Sequence, residues 1–218
     1  MSDRTSELNA LAEEARAFFV QKHAARERAL QLSRGTTQLS ANAIRSAHRG
    51  QHQEARGLLD SARALVAEMK EIQESHPDVY YAGFVQDAQK EYVEANATLA
   101  FITGSPLPHP QELGVSHAPY LNGLGETIGE MRRYLLDSLR RNDISRCEEL
   151  LDLMDQIHTQ LFTMDFPEAI TGGLRRTTDA MRGILERTRG DLTTALRQQS
   201  LEQRLTQLWE RLAREDPD

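Results

Sequence analysis

Apolar residues recur along most of the chain at spacings of three and four positions, which is the period of an amphipathic helix. Strand-like alternation is absent. The helical patterns cover about 5–49, 52–74, 77–103, 117–141, 144–162 and 168–215, the last with an expected break near Gly190. Long helices joined by short connections predict an all-α fold, an antiparallel bundle of about six to seven helices forming one domain over residues 1–218.

Proline and glycine separate these helical patterns. The clearest break is Gly104–Pro110, where three prolines within seven residues are incompatible with a helix interior. The C-terminal pattern carries apolar residues at helical spacing: Leu201, Leu205, Leu208, Trp209 and Leu212. This face suits a partner helix, and packing into the core of the same chain explains it equally well.

Composition narrows the classes of protein. The single cysteine, Cys147, excludes an internal disulfide framework and a cysteine-based zinc site. No run approaches the roughly 18 apolar residues of a membrane helix, and no signal peptide is recognisable, so we expect a cytoplasmic protein without a membrane span. The formal net charge is −7, so nucleic-acid binding would need a local basic face.

Carboxylates interrupt an apolar stripe in the segment 84–102. At about 100° per residue one line of the helix carries Phe84, Asp87, Glu91, Glu94, Thr98 and Ile102. Burying unpaired carboxylates costs several kcal/mol, and a bound cation would remove that penalty. The alternative is a solvated face on which Lys90 pairs with Glu94 at i,i+4.

A second acidic pair, Glu126 and Glu130, projects from the side opposite the apolar stripe of the segment 117–141. Gly125 and Gly129 lie beside it, and two glycines inside a helix suggest the close approach of a neighbour. A solvated face is again the alternative. Together the two pairs can form an all-oxygen cage for Mg²⁺ or Mn²⁺, which acidifies a bound water and clamps a phosphate oxygen during phosphodiester hydrolysis.

At these residues the sequence resembles the translin/trax family. The resemblance is carried by Gln89–Ala95 (QKEYVEA), by Tyr120–Arg132 (YLNGLGETIGEMR) and more loosely by Leu32–Arg34, and covers most of residues 25–160. It implies an all-α bundle assembled into a hollow homo-octamer. The trax branch is a Mg²⁺-dependent ribonuclease acting on single-stranded RNA, whereas the translin branch binds single-stranded RNA and DNA without supplying the active site.

The resemblance also implies a branch and a set of site residues. Glu91 and Glu94 match the trax motif Glu-Tyr-Val-Glu, and Glu130 matches the glutamate of a Gly-Glu-Leu-Met-Arg-like motif. Glu126 stands where the family usually has aspartate, which keeps the charge but lengthens the side chain by one methylene. The chain is therefore expected to be trax-like, of prokaryotic type, with all four glutamates catalytic and metal-binding. Glu94 and Glu130 are expected to be direct ligands, and Glu91 and Glu126 further ligands or water-orienting bases.

Two clusters of basic residues are candidates for RNA binding, since guanidinium groups bind phosphate bidentately. The candidate residues are Arg34, Arg45, His48, Arg49, Arg132 and Arg133. The alternative for each cluster is a solvated face.

Three functions are compatible with these observations. The first is a metal-dependent endoribonuclease that cleaves single-stranded RNA within a homo-oligomer. The second is a non-catalytic oligomer that binds single-stranded RNA or DNA, and the third is a helical scaffold without a nucleic-acid role.

Overall fold

The protein is all-α, as the sequence predicts. The structure is a computed structural model that describes residues 2–215, a stretch that contains helices and no strand. Its helices are α1 (Ser2–His48), α2 (His52–Ser75), α3 (Pro77–Tyr80), α4 (Gly83–Thr103), α5 (Pro110–Leu113), α6 (His117–Arg140), α7 (Cys147–Phe162), α8 (Glu168–Thr171) and α9 (Leu174–Glu215). The six long helices correspond to the six predicted segments, and the other three have four residues each.

The segment 77–103 is two helices, so the prediction of one continuous helix is wrong there. Ala82 adopts an extended conformation with ψ 146°, which ends the short α3 and starts α4 in a new direction. Pro77 occupies the first turn of α3, where its missing N–H costs no hydrogen bond. This break separates α2 from the helix that carries Glu91 and Glu94.

The segment 168–215 is also interrupted, at Gly172 and Gly173 rather than near Gly190. Their φ angles are 62° and 87°, in the left-handed region that glycine adopts without strain. Gly190 lies inside α9, which continues to the end of the described residues. The predicted connector 104–110 is confirmed, since α4 ends at Gly104 and Pro110 begins α5.

Two hydrophobic clusters form the core. One lies between α1, α2 and α4 and includes Val66, Met69 and Val93; the other lies between α6, α7 and α9 and includes Ile128 and Met154. Direct packing of α4 on α6 joins the two clusters. The predicted acidic pairs are thus on the two helices that meet at the centre of the bundle.

The ends of α1 and α9 extend beyond this core. Residues 4–21 and 201–213 are exposed, among them Phe19 at 63% and Trp209 at 72%. Packing of the apolar C-terminal face into the core of the same chain, one of the two sequence interpretations, is therefore wrong. In the part of the chain that is described, no helix is long and apolar enough to cross a membrane.

Candidate metal centre

A glycine sets the distance between α4 and α6. A Cβ atom on Gly123 would lie 2.5 Å from the backbone oxygen of Lys90 and 2.8 Å from Cβ of Val93. Such separations are far below van der Waals contact, so the crossing of the two helices requires glycine at this position. Because Lys90 and Val93 flank Glu91 in α4, the same crossing brings the two acidic helix faces together.

The two glycines noted in the sequence behave differently. A Cβ on Gly125 would lie 2.6 Å from Cγ2 of Thr177, so this residue allows α9 to approach α6. A Cβ on Gly129 would meet no atom of the described part of the chain within 4 Å. The close approach expected from the glycine pair is therefore confirmed for Gly125 and wrong for Gly129.

Three of the four predicted glutamates converge. Glu91 and Glu94 of α4 and Glu126 of α6 each offer a carboxylate oxygen, and these atoms all lie within 4.8 Å of one another. Each of the three residues is half-buried. The interpretation of both acidic pairs as independent solvated faces is therefore wrong, since the pairs face each other across the helix crossing.

The pKa of Glu94 reflects its burial and the negative charge concentrated in this cluster. Burial, followed by the negative charges of Glu91, Glu126 and Glu130, raises the pKa of Glu94 from its ordinary 4.5 to about 8. Burial and the charge of Glu126 also raise the pKa of Glu91. The chain thus holds carboxyl groups together with too little positive charge to keep all of them ionised at neutral pH.

Lys90 is the cation nearest to the cluster among the described residues. Its Nζ lies 2.8 Å from Oε1 of Glu126 and 4.0 Å from Oδ1 of Asp87. Burial by itself would lower the pKa of Lys90, but the hydrogen bond and charge of Glu126 raise it. The i,i+4 ion pair with Glu94 considered from the sequence is therefore not formed, and Lys90 pairs across the helix crossing instead.

Glu130 lies beside the cluster but has a partner of its own. Its Oε2 is 2.5 Å from Nε2 of His48 at the end of α1 and 3.5 Å from Nη1 of Arg133. The hydrogen bond to His48 is the main reason why the pKa of Glu130 is lowered. The His48 side chain is only 4% exposed, and its buried Nδ1 has no hydrogen-bond partner among the residues that the structure describes. The predicted role of Glu130 as a direct metal ligand stays a prediction.

An open cavity adjoins the carboxylates. It has a volume of about 1190 Å³ and lies between α4, α6, α8 and α9. Lys90, Glu94 and Glu126 form one wall, and Arg176 and Thr177 of α9 form another. A ligand entering this cavity would therefore meet the cluster from the side of Glu94.

The cluster has the donor chemistry of a site for a hard divalent ion. Carboxylate oxygens are the ligands that Mg²⁺ and Mn²⁺ prefer. Opposite ligands of Mg²⁺ lie about 4.2 Å apart, so the three carboxylate oxygens need only small side-chain rotations to reach a common ion. A divalent charge would also relieve the repulsion that, in addition to burial, raises the pKa of Glu94.

The basic residues predicted to bind RNA have different surroundings. Arg34, Arg45 and Arg49 are exposed on or just after α1. Arg132 donates to Oδ2 of Asp191 at 2.7 Å and to Oγ1 of Thr188 at 3.1 Å, and so ties α6 to α9.

Arg133 is half-exposed and lies near Glu130. His48 is buried and also contacts Glu130. Their roles in RNA binding stay predictions.

Sequence reasoning missed three features of this region: the Lys90–Glu126 ion pair, the His48–Glu130 contact and the position of Arg176 on the cavity wall. The first two join residues 36 and 82 positions apart, beyond the reach of helical periodicity. Gly123, a glycine inside a helix, was the signal in the sequence that could have indicated the close approach of α4 and α6 and hence the Lys90–Glu126 pair.

Comparison with solved structures identifies the family. Two structures of AfC3PO, one of them a complex with duplex RNA, match the chain with a TM-score of 0.78 and 34% sequence identity. The match covers 84% of this chain and 95% of AfC3PO, a protein of the translin/trax (C3PO) family. The chain belongs to the translin/trax family.

Other relatives of this translin/trax-family chain are more distant. The structure of apo-NeC3PO has a TM-score of 0.75 at 21% identity, covering 84% of this chain and 96% of that one, and so shows the shared fold. An uncharacterised protein of Methanocaldococcus jannaschii is 27% identical over 189 residues, which are 86% of this chain and 84% of the relative. No protein-family model matches the sequence.

Proposed function

We propose that this chain is a trax-like, metal-dependent endoribonuclease that cleaves single-stranded RNA. The observation that carries the proposal is the convergence of Glu91, Glu94 and Glu126 from two helices, with Glu94 and Glu126 on the wall of an open cavity. Burial, together with the repulsion among these carboxylates, raises the pKa of Glu94 to about 8, and a bound cation would relieve that cost.

The residues divide into those that would hold the ion and those that orient its surroundings. Glu91, Glu94 and Glu126 would bind Mg²⁺ or Mn²⁺, and the ion would supply positive charge to the phosphate and acidify a water molecule. Glu130, held in place by His48, stays ionised and can accept a hydrogen bond at the edge of the cluster. In this arrangement Glu130 acts beside the ion, whereas the sequence suggested direct ligation.

RNA is the substrate class that the relatives and the basic residues support. AfC3PO, at 34% identity, has been captured with duplex RNA. In this chain the exposed Arg45 and Arg49 flank His48, whose ring contacts Glu130, so a basic surface leads toward the carboxylates. Single-stranded RNA is the proposed substrate because a single strand can enter a cavity of this size more readily than a duplex.

The exposed apolar ends support assembly into a homo-oligomer. Leu8, Leu11 and Phe18 of α1 and Leu205 and Trp209 of α9 are all 46–72% exposed, which is unfavourable for an isolated chain. An octamer, as in the family, is the proposed state, and native mass spectrometry of the purified protein measures it directly. The proposed location is the cytoplasm.

The decisive experiment compares cleavage and binding in matched variants. Labelled single-stranded and duplex RNA are incubated with the wild type and with Glu94→Gln and Glu130→Gln in Mg²⁺, Mn²⁺ or EDTA. We expect metal-dependent cleavage by the wild type, no cleavage by either variant, and retained RNA binding in a filter assay. Glu71→Gln, at an exposed position of α2, is the control and should cleave normally. Cleavage by Glu94→Gln at the wild-type rate would rule out the proposed site.

A second candidate is a non-catalytic oligomer that binds single-stranded RNA or DNA. The Lys90–Glu126 ion pair favours it, because an internal ammonium group already compensates part of the negative charge. This function predicts RNA binding that EDTA does not affect and no cleavage with any divalent ion. A helical scaffold would bind no RNA at any salt concentration in the same filter assay.

A further inference from the structure

The Lys90 ammonium group is in contact with one of the three clustered carboxylates. Nζ is 2.8 Å from Oε1 of Glu126, a residue of the three-carboxylate cluster, and the side chain is only 24% exposed. Asp87, whose Oδ1 is 4.0 Å away, is the other acidic group in contact with the amine. The amine is therefore a built-in counter-ion of the cluster.

One ammonium group compensates the cluster only in part. Formally, Glu91, Glu94 and Glu126 carry three negative charges against the single positive charge of Lys90. Lys90 forms its ion pair with Glu126 and not with Glu94, although a carboxylate oxygen of Glu94 lies within 4.8 Å of those of Glu91 and Glu126. The cluster thus retains an affinity for further positive charge while Glu126 is already engaged.

A divalent ion bound to Glu126 would lie within a few ångströms of the Lys90 ammonium group. Two cations at that distance in a half-buried site repel each other strongly. The backbone of Lys90 cannot move away, because its carbonyl oxygen packs against Gly123. Only the flexible side chain of Lys90 can move away, and the adjacent cavity is large enough to accommodate it.

We propose that Lys90 is an internal competitor of the metal ion, paired with Glu126 in the metal-free protein and displaced into the cavity when a divalent ion binds. This inference rests on the proposed metal site, and it makes Lys90 a determinant of metal affinity. The side chain is then released on the cavity wall, on the same side as Glu94. The test can be made on metal binding alone, without any cleavage assay.

The first test is a Mn²⁺ titration followed by electron paramagnetic resonance on the full-length chain. Lys90→Gln should bind Mn²⁺ at least about tenfold more tightly than the wild type, because the competing charge is gone. Lys90→Arg should bind like the wild type or more weakly, and Lys70→Gln, at an exposed position of α2, should be unchanged. Unchanged or weaker binding by a folded Lys90→Gln would overturn the inference while leaving the metal site intact.

A second test uses the wild type and does not depend on the folding of a variant. Reductive methylation of lysines, read by peptide mass spectrometry, should modify Lys90 faster when Mn²⁺ is present, since the amine leaves Glu126. Lys70 should react at the same rate in Mn²⁺ and EDTA. An equal or slower reaction of Lys90 in Mn²⁺ would contradict displacement. Absence of Mn²⁺ binding in both the wild type and Lys90→Gln would overturn the proposed metal site and this inference together.

Discussion

Glu94 on α4 and Glu130 on α6 are both half-buried carboxyls in one acidic region, yet their electrostatic surroundings are opposite. Burial and three neighbouring carboxylates raise the pKa of Glu94 to about 8, whereas the hydrogen bond from His48 lowers the pKa of Glu130. The difference lies in the partner that a third helix supplies, since α1 brings His48 to Glu130, whereas within the described residues Glu94 forms no ion pair with a basic side chain. Under the proposed function, a metal ion would therefore stabilise the Glu94 side most, since the protein itself already stabilises the Glu130 side.

The largest expected effect is the response of stability to pH in EDTA. Glu94 ionises near 4.5 when unfolded and near 8 when folded, so the folded chain binds the extra proton and loses stability as the pH rises from about 4.5 to 8. Glu94→Gln removes this loss and should be more stable than the wild type by up to about 5 kcal/mol at pH 9, with a smaller gain at pH 7 and little at pH 4.5. Urea unfolding at the three pH values measures it. Parallel profiles for the two proteins would show that Glu94 is not under electrostatic strain.

The helix crossing that creates the cluster can be tested through its glycines. Gly123→Ala should lower the free energy of unfolding by about 3 kcal/mol, because the new Cβ meets the Lys90 carbonyl oxygen and forces α4 and α6 apart. Gly129→Ala, in the same helix and with open space around the new Cβ, should be neutral or stabilising by up to about 1 kcal/mol. Chemical denaturation of both variants provides the comparison, and equal losses would contradict the role of Gly123 in the crossing.

Metal affinity should distinguish the role of Glu94 from that of Glu130. Glu94→Gln should weaken Mn²⁺ binding by about a hundredfold, whereas Glu130→Gln, which removes a neighbour of the ion, should weaken it by roughly tenfold. Isothermal titration calorimetry at pH 8 measures both. A larger loss of Mn²⁺ affinity for Glu130→Gln than for Glu94→Gln would indicate that Glu130 is the direct ligand and Glu94 the neighbour of the ion.

The smallest effect on the free energy of unfolding is expected for substitution of His48. His48→Ala should cost about 1–2 kcal/mol at pH 7, because Glu130 loses its hydrogen-bond partner in a half-buried position. The pKa of Glu130 is lowered in the folded state, so its stabilising contribution is complete above about 4.5 and is lost as the pH falls through the lower folded value. The difference between wild type and variant should therefore shrink below pH 4.5. His48→Gln, whose amide can donate from a similar position, should restore part of the loss in thermal unfolding.

The helices and the acidic faces could be predicted from the amino-acid sequence alone. Period-3.6 patterning predicted the six long helices, and local chemistry placed the break at Gly104–Pro110. It did not resolve the separations at Ala82 and Gly172–Gly173, because a change of direction between two helical segments leaves the apolar spacing on each side intact. Spacing within one helix also fixed that Glu91 and Glu94 share a face with each other, as do Glu126 and Glu130.

How those faces meet depends on the packing of the helices against one another. Which three of the four glutamates converge depends on the crossing of α4 and α6, set by contact of Gly123 with the Lys90 carbonyl oxygen. The partners of Lys90 and Glu130 likewise come from other helices, at sequence separations of 36 and 82 residues. Helical periodicity acts over one or two turns and specifies which side of a helix a residue occupies. The rotation and distance of one helix against another follow from the packing of the whole core, and these two quantities determine whether acidic residues form a solvated surface or a candidate metal site.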